Sequence, residues 1–157
     1  MKVLNASVEI DAPAEVVWSV VADTSRYPEW NPYHVRVAGK LLPGERLTVD
    51  IRKPNGAALT IHPRVLEFLP ERSLVWGGGP AGIFRGVHRF DLEALSPACT
   101  RLHHTEVFSG IAVRFADLDA IEPGYRRMNE ALRARLDGAG RPSQGGCTDA
   151  PPGPVAD

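Results

Sequence analysis

Between Ile10 and Pro32 the chain must start a helix, end it and turn sharply, all within a short span. Pro13 suits a first helical position, where its missing N–H is no loss. Asp11 stands before it as a candidate cap, and Glu15 places negative charge in the first turn. Val16, Val17, Val20 and Val21 then form an apolar stripe at helical spacing. Asp23, Thr24 and Ser25 end this helix and can cap a second, short one. Tyr27, Pro28, Glu29, Trp30, Asn31 and Pro32 follow, and two prolines so close together forbid a long helix there.

On either side the period is two. Lys2 to Ile10 alternates, with Leu4, Ala6, Val8 and Ile10 on one face, which predicts a half-buried strand. Strands are also expected over Tyr33–Val37 and Arg46–Arg52, with a hairpin signal at Pro54, Asn55 and Gly56. Leu59 to Phe68 reads as one long strand carrying Pro63, which implies an edge or a bulge. Ser73–Trp76 is a short strand. The loop after it, Gly77 to Gly82, lacks the helix, lysine and hydroxyl spacing of a phosphate loop and reads as a wide hairpin. Ile83–Glu93 and Thr100–Ser109 are two long strands of one hairpin. From Phe115 to Leu136 the period becomes helical through Leu118, Ile121, Tyr125, Met128 and Leu132, with a kink or break expected at Pro123 and Gly124. Residues 139–157 offer almost nothing apolar and read as a disordered tail behind a domain of residues 1–138.

The bulk properties narrow the partners. Net charge is −1, from 18 basic and 19 acidic residues, so no basic surplus points to nucleic acid or an anionic membrane. No apolar run approaches the roughly 20 residues of a membrane span. The first residues lack the apolar core of a signal peptide. Cys99 and Cys147 have no metal-ligand spacing, and one falls in the tail. A disulfide framework is therefore not expected, and the cytoplasm is the default location.

Two motifs carry a resemblance. Ile10-Asp11-Ala12-Pro13-Ala14-Glu15-Val16-Val17-Trp18 and Tyr27-Pro28-Glu29-Trp30-Asn31-Pro32, in this order and spacing, resemble the start of the START-like superfamily, in its polyketide cyclase/dehydrase branch. The resemblance implies an α+β helix-grip fold: a curved antiparallel sheet wrapped around a long C-terminal helix, with two short helices after the first strand. It covers the chain to about residue 137. It also implies a cavity between sheet and helix, with the short-helix region at its mouth.

Parity on the two long strands nominates the chemistry. Phe84, His88, Phe90 and Leu92 share one face of the first; Leu102, His104, Glu106 and Phe108 share one face of the second. Those faces should point inward, which places His88, His104 and Glu106 among aromatics. A buried carboxylate must be paired or protonated, and a neighbouring histidine is the natural partner. Such a cluster either orients a ligand and moves protons, or tethers sheet to helix as a satisfied core pair. His103 should face outward, and His34 and His62 lie where register is ambiguous and receive no role. No histidine pair has the helical spacing of a zinc enzyme, and no nucleophile elbow is present. Tyr27, Trp30, Trp76, Phe84, Phe90, Phe108, Tyr125 and Met128 complete the candidate cavity lining, whereas Trp18 reads as core.

The leading expectation is a monomer or homodimer that binds a small hydrophobic molecule (lipid-, polyketide- or aromatic-like) and needs no cofactor. An aromatase/cyclase-type enzyme, with His88, His104 or Glu106 as acid or base, is the alternative. A co-chaperone-like interaction module is a third, disfavoured by the lack of an extra partner-binding segment.

Overall fold

The computed structural model describes residues 1–137, 146 and 147. β1 (Lys2–Ile10) leads into α1 (Ala14–Val21), a 3-10 turn (Thr24–Arg26) and α2 (Tyr27–Trp30). Seven further strands follow: β2 (His34–Ala38), β3 (Thr48–Arg52), β4 (Ala58–Ile61), β5 (Arg64–Leu69), β6 (Ser73–Gly78), β7 (Arg85–Ser96) and β8 (Cys99–Ser109). A 3-10 turn (Ile111–Phe115) then precedes α3 (Ile121–Asp137). All pairings are antiparallel, in a five-stranded sheet of order β1-β8-β7-β6-β5 and a three-stranded sheet of order β2-β3-β4. This is the expected helix-grip arrangement. Leu4, Ala6, Val8 and Ile10 are buried on β1 as their alternation requires, and α3 buries Ile121, Tyr125, Met128 and Leu132 against the same core.

Several details depart from the sequence reading, each for a local reason. The strand expected over Leu59–Phe68 is two strands in different sheets. Pro63 cannot donate to a ladder, so β4 leaves β3 before it and β5 joins β6 after it. The apolar stripe of the last helix does not begin at Phe115, which is 78% exposed in the 3-10 turn. Nor does α3 break at Pro123. That proline is its third residue, where the N–H would have no helical partner anyway. Gly124 has a packing role instead, because a Cβ there would lie 2.3 Å from the ring of Tyr33.

Asp11 does not cap α1; its Oδ1 accepts the backbone N–H of Cys147 at 2.6 Å. Cys147 is disulfide-bonded to Cys99, contrary to the expectation that no disulfide framework forms, with the Cα atoms 4.8 Å apart. The two cysteines are 48 residues apart, a single pair without the repeated spacing that reveals disulfide frameworks. The redox argument for the cytoplasm lapses with it. Apart from residues 146 and 147, the expected disordered tail lies outside the described residues. No helix among the described residues is long and apolar enough to cross a membrane.

Candidate functional site

A cavity of about 460 Å³ lies where the two sheets and the start of α3 converge. The five-stranded sheet supplies Trp76, Phe84, His88, Glu106 and Phe108. The small sheet and the residues leading into it supply Tyr33, His34, Ile51 and Leu59, and the start of α3 closes the space with Ile121 and Tyr125. Space comes partly from glycine. On β7, a Cβ at Gly86 would come within 3.0 Å of Glu106 Oε1 and 3.1 Å of the Phe108 ring.

The short helix after the first break determines how one wall is built. Asn31 leaves α2 in an extended conformation, and its Oδ1 accepts the backbone N–H groups of Tyr33 and His34, both at 3.0 Å. This side-chain turn aims the next two residues inward. Tyr33 packs against Gly124 and Tyr125, and His34 enters a nest of rings, 4.9 Å from His88 and 5.4 Å from Trp76 between centroids.

Beneath the wall runs a directed chain of hydrogen bonds. Asn129 of α3 donates from Nδ2 to the carbonyl of Ala6 at 3.3 Å, which fixes its amide orientation. Its Oδ1 can then only accept, so His104 donates from Nδ1 at 3.0 Å. A neutral His104 therefore has a bare Nε2, and His88 donates to it from its own Nε2 at 2.7 Å. His88 Nδ1 is left as a buried acceptor with no partner among the described residues. All three imidazoles are neutral. Burial drives His34 and His88 well below the usual histidine range, helped by the neighbouring imidazoles. Burial also pulls His104 down to about 3, against the opposing hydrogen bond to Asn129.

Among the described residues, Glu106 is the carboxyl on the sheet wall, whereas Asp117 reaches the cavity from an exposed position. Glu106 faces His88 across the β7–β8 ladder, yet its hydrogen bond comes from the Tyr125 hydroxyl, not from a histidine as expected. The His88 N–H donates to His104 instead. Burial pushes Glu106 up to about 7, and the bond from Tyr125 only partly opposes this. Burial and the adjacent Glu106 in turn hold the Tyr125 phenol well above the ordinary tyrosine range. The arrangement can accept hydrogen bonds and exchange a proton near neutral pH. It offers no nucleophile.

Of the residues nominated from sequence, Trp76, Phe84, His88, Glu106, Phe108 and Tyr125 come together on this wall. Tyr27, Trp30, Phe90, His104 and Met128 do not line it. Tyr27 is fully buried and donates its hydroxyl to the Val21 carbonyl at 2.5 Å, and Trp30 packs on it with centroids 5.2 Å apart. Phe90 and Met128 are core, and His104 acts from behind His88. His103 points outward to Glu93 at 2.8 Å. Sequence reasoning missed Tyr33 and His34. A register shift between His34 and Arg36 defeats counting by twos, and the usable signal was Asn31, a turn-forming side chain just upstream.

Among the described residues, Glu9, Cys99 and Cys147 bring three metal-ligand atoms within 4.8 Å of one another, but the sulfurs are joined to each other. A second groove lies between α1 and the end of α3, lined by Asp11, Asp23, Arg26, Arg135 and Asp137 among others. It is lined largely by charged side chains, unlike the aromatic wall of the first.

No curated protein matches the chain. Solved structures do. A protein from Mesorhizobium loti is 23% identical over 89% of this chain and 100% of its own, with a TM-score of 0.67. A START superfamily protein from Mycobacterium smegmatis is 19% identical over 88% of this chain and 99% of its own, with a TM-score of 0.66. The Zhui aromatase/cyclase from Streptomyces sp. R1128 is 19% identical over 87% and 93%, with a TM-score of 0.69. At these identities the likeness establishes the fold. A model of the polyketide cyclase/dehydrase and lipid transport family matches residues 1–137, and the chain belongs to that family.

Proposed function

We propose that the protein binds a small hydrophobic molecule in the cavity between its sheets and α3. The observation that carries this reading is the cavity itself: about 460 Å³, with an aromatic and aliphatic wall of Trp76, Phe84, Phe108 and Ile121 beside its polar groups. That size and balance suit a ligand of two or three fused rings or a comparable chain. The family description, which includes lipid transport, supports it. Titration with the apolar fluorophore N-phenyl-1-naphthylamine tests it. Saturable 1:1 binding is expected, and Ile61→Trp, which adds an indole to the wall from the edge strand β4, should weaken it at least tenfold. Binding that is absent, or indifferent to this substitution, contradicts the reading. Native mass spectrometry of protein from its own host would then identify the natural occupant.

A second reading, an aromatase/cyclase-type enzyme, has one specific observation in its favour. Glu106 sits in the cavity wall with its proton affinity raised to the working range of an acid–base group, paired to Tyr125. In that reading Glu106 takes a proton from a carbon flanked by carbonyls, or returns one to a departing hydroxyl. Loss of ring closure on a poly-β-ketone substrate in Glu106→Gln, with binding of the fluorophore intact, would distinguish it from pure binding.

A further inference from the structure

We infer that Asn129 is a positioning residue that sets the hydrogen-bond polarity of the cavity wall, making His88 an acceptor and selecting ligands that carry a hydroxyl donor. The inference rests on the binding reading above and adds what the ligand must present.

A backbone carbonyl can only accept, so Ala6 fixes which end of the Asn129 amide faces His104. An amide oxygen can only accept, so His104 must carry its proton on Nδ1. Its Nε2 is then an acceptor, and the 2.7 Å contact requires His88 to carry its proton on Nε2. The chain ends at His88 Nδ1, a lone pair with no partner among the described residues, on a ring that is 2% exposed and lines the cavity. Such an orphan is rare enough in buried positions to call for an explanation.

Across the ladder Glu106, in its ionised form, completes the pattern as a second acceptor. Glu106 Oε2 receives the Tyr125 hydroxyl, which leaves Oε1 over Gly86. A phenol or enol hydroxyl satisfies this pair, donating to one and shared with the other by small ring movements. A ligand with only an ether or carbonyl oxygen would set acceptor against acceptor. His34, 4.9 Å from His88 between ring centroids, also lines the cavity with an Nδ1 that has no partner among the described residues, and the Tyr33 phenol stands on the same side; Lys53, Thr60, His62 and Asp117 belong to the β3–β4 side and the loop before α3.

Two measurements test this. The first is the tautomer state of the imidazoles by long-range ¹⁵N–¹H correlation on the free protein. His104 should be protonated at Nδ1 and His88 at Nε2. In Asn129→Leu the assignment at His104 should be lost, and in Asn129→Asp, which keeps an acceptor, it should be restored. A wild-type His88 protonated at Nδ1 overturns the inference, even if neither variant folds. The second compares 2-naphthol with 2-methoxynaphthalene, matched rings with and without a donor. Wild-type protein should favour the naphthol about tenfold, the effect of one well-made hydrogen bond against one unsatisfied group. His88→Phe should reduce the preference to about twofold or less. Equal affinity in the wild type overturns the polarity argument and leaves the cavity reading standing. Binding of neither compound overturns the cavity reading and the inference with it.

Discussion

The two halves of α3 share one apolar stripe but do different things. Ile121 and Tyr125 border the aromatic cavity, whereas Met128 and Leu132, one and two turns further on, are fully buried and line neither that cavity nor the charged groove at Arg135 and Asp137. Asn129 marks the boundary. Tyr125 meets Glu106 and Asn129 meets His104, so the C-terminal half runs on toward Leu102, Thr100 and Cys99, at the end of β8 where the disulfide lies. The difference shows that a helical stripe reports which face is covered, not how completely the space against it is filled. The stretch at Met128 and Leu132 is packed for stability. The space at Ile121 and Tyr125 is kept open by Gly86 and lined with neutral imidazoles.

The largest expected effect is at the filled end. Leu132→Asp should prevent folding, and Leu132→Ala should cost about 2–5 kcal/mol in chemical denaturation. Ile121→Ala, beside existing space, should cost only about 1–2 kcal/mol. Equal costs would erase the contrast between the halves. The disulfide braces the same end and closes a loop of 48 residues, so Cys99→Ser should cost about 2–4 kcal/mol. A melting temperature indifferent to reductant would show that the bridge contributes nothing there.

At the open end the expected signature is pH dependence rather than packing loss. His34, His88 and His104 have folded-state proton affinities far below their unfolded value of 6.5. As pH falls below 6.5 the unfolded chain binds protons that the folded one refuses, and stability drops. Glu106 works in the opposite sense. Its affinity is raised from 4.5 to about 7, so it favours the folded state as pH falls through that window. Three groups outweigh one, and denaturation curves should show a net loss of about 3–4 kcal/mol between pH 7 and pH 5. A flat profile would mean that the imidazoles are solvated. The smallest effect is Glu106→Gln, which removes a half-buried charge and should stabilise by about 1–2 kcal/mol at pH 8. A loss of that size would make Glu106 structural.

Much of the fold was legible because it rests on periods. Leu4, Ala6, Val8 and Ile10 alternate, Ile121 to Leu132 recur at helical steps, and the inward faces of β7 and β8 follow from parity. The site was only half legible. His88, His104 and Glu106 were found together because adjacent long strands preserve register. Their bonding was not, since whether a histidine or Tyr125 meets Glu106 depends on helix-to-sheet placement that no spacing records. His34 was hidden by a bulge, and Phe115 was misassigned because a 3-10 turn can mimic the first turn of a helical stripe. The Cys99–Cys147 bridge gave no signal, because an isolated pair has no pattern.

On the proposed reading, the space beside Ile121 and Tyr125, and not the packed stretch at Met128 and Leu132, receives an apolar molecule. Intermolecular NOEs between bound 2-naphthol and methyl-labelled protein test it directly. The account predicts contacts to the methyls of Ile121, Ile51 and Leu59 and none to Met128 or Leu132. Contacts to Met128 or Leu132, or none to Ile121, would contradict it.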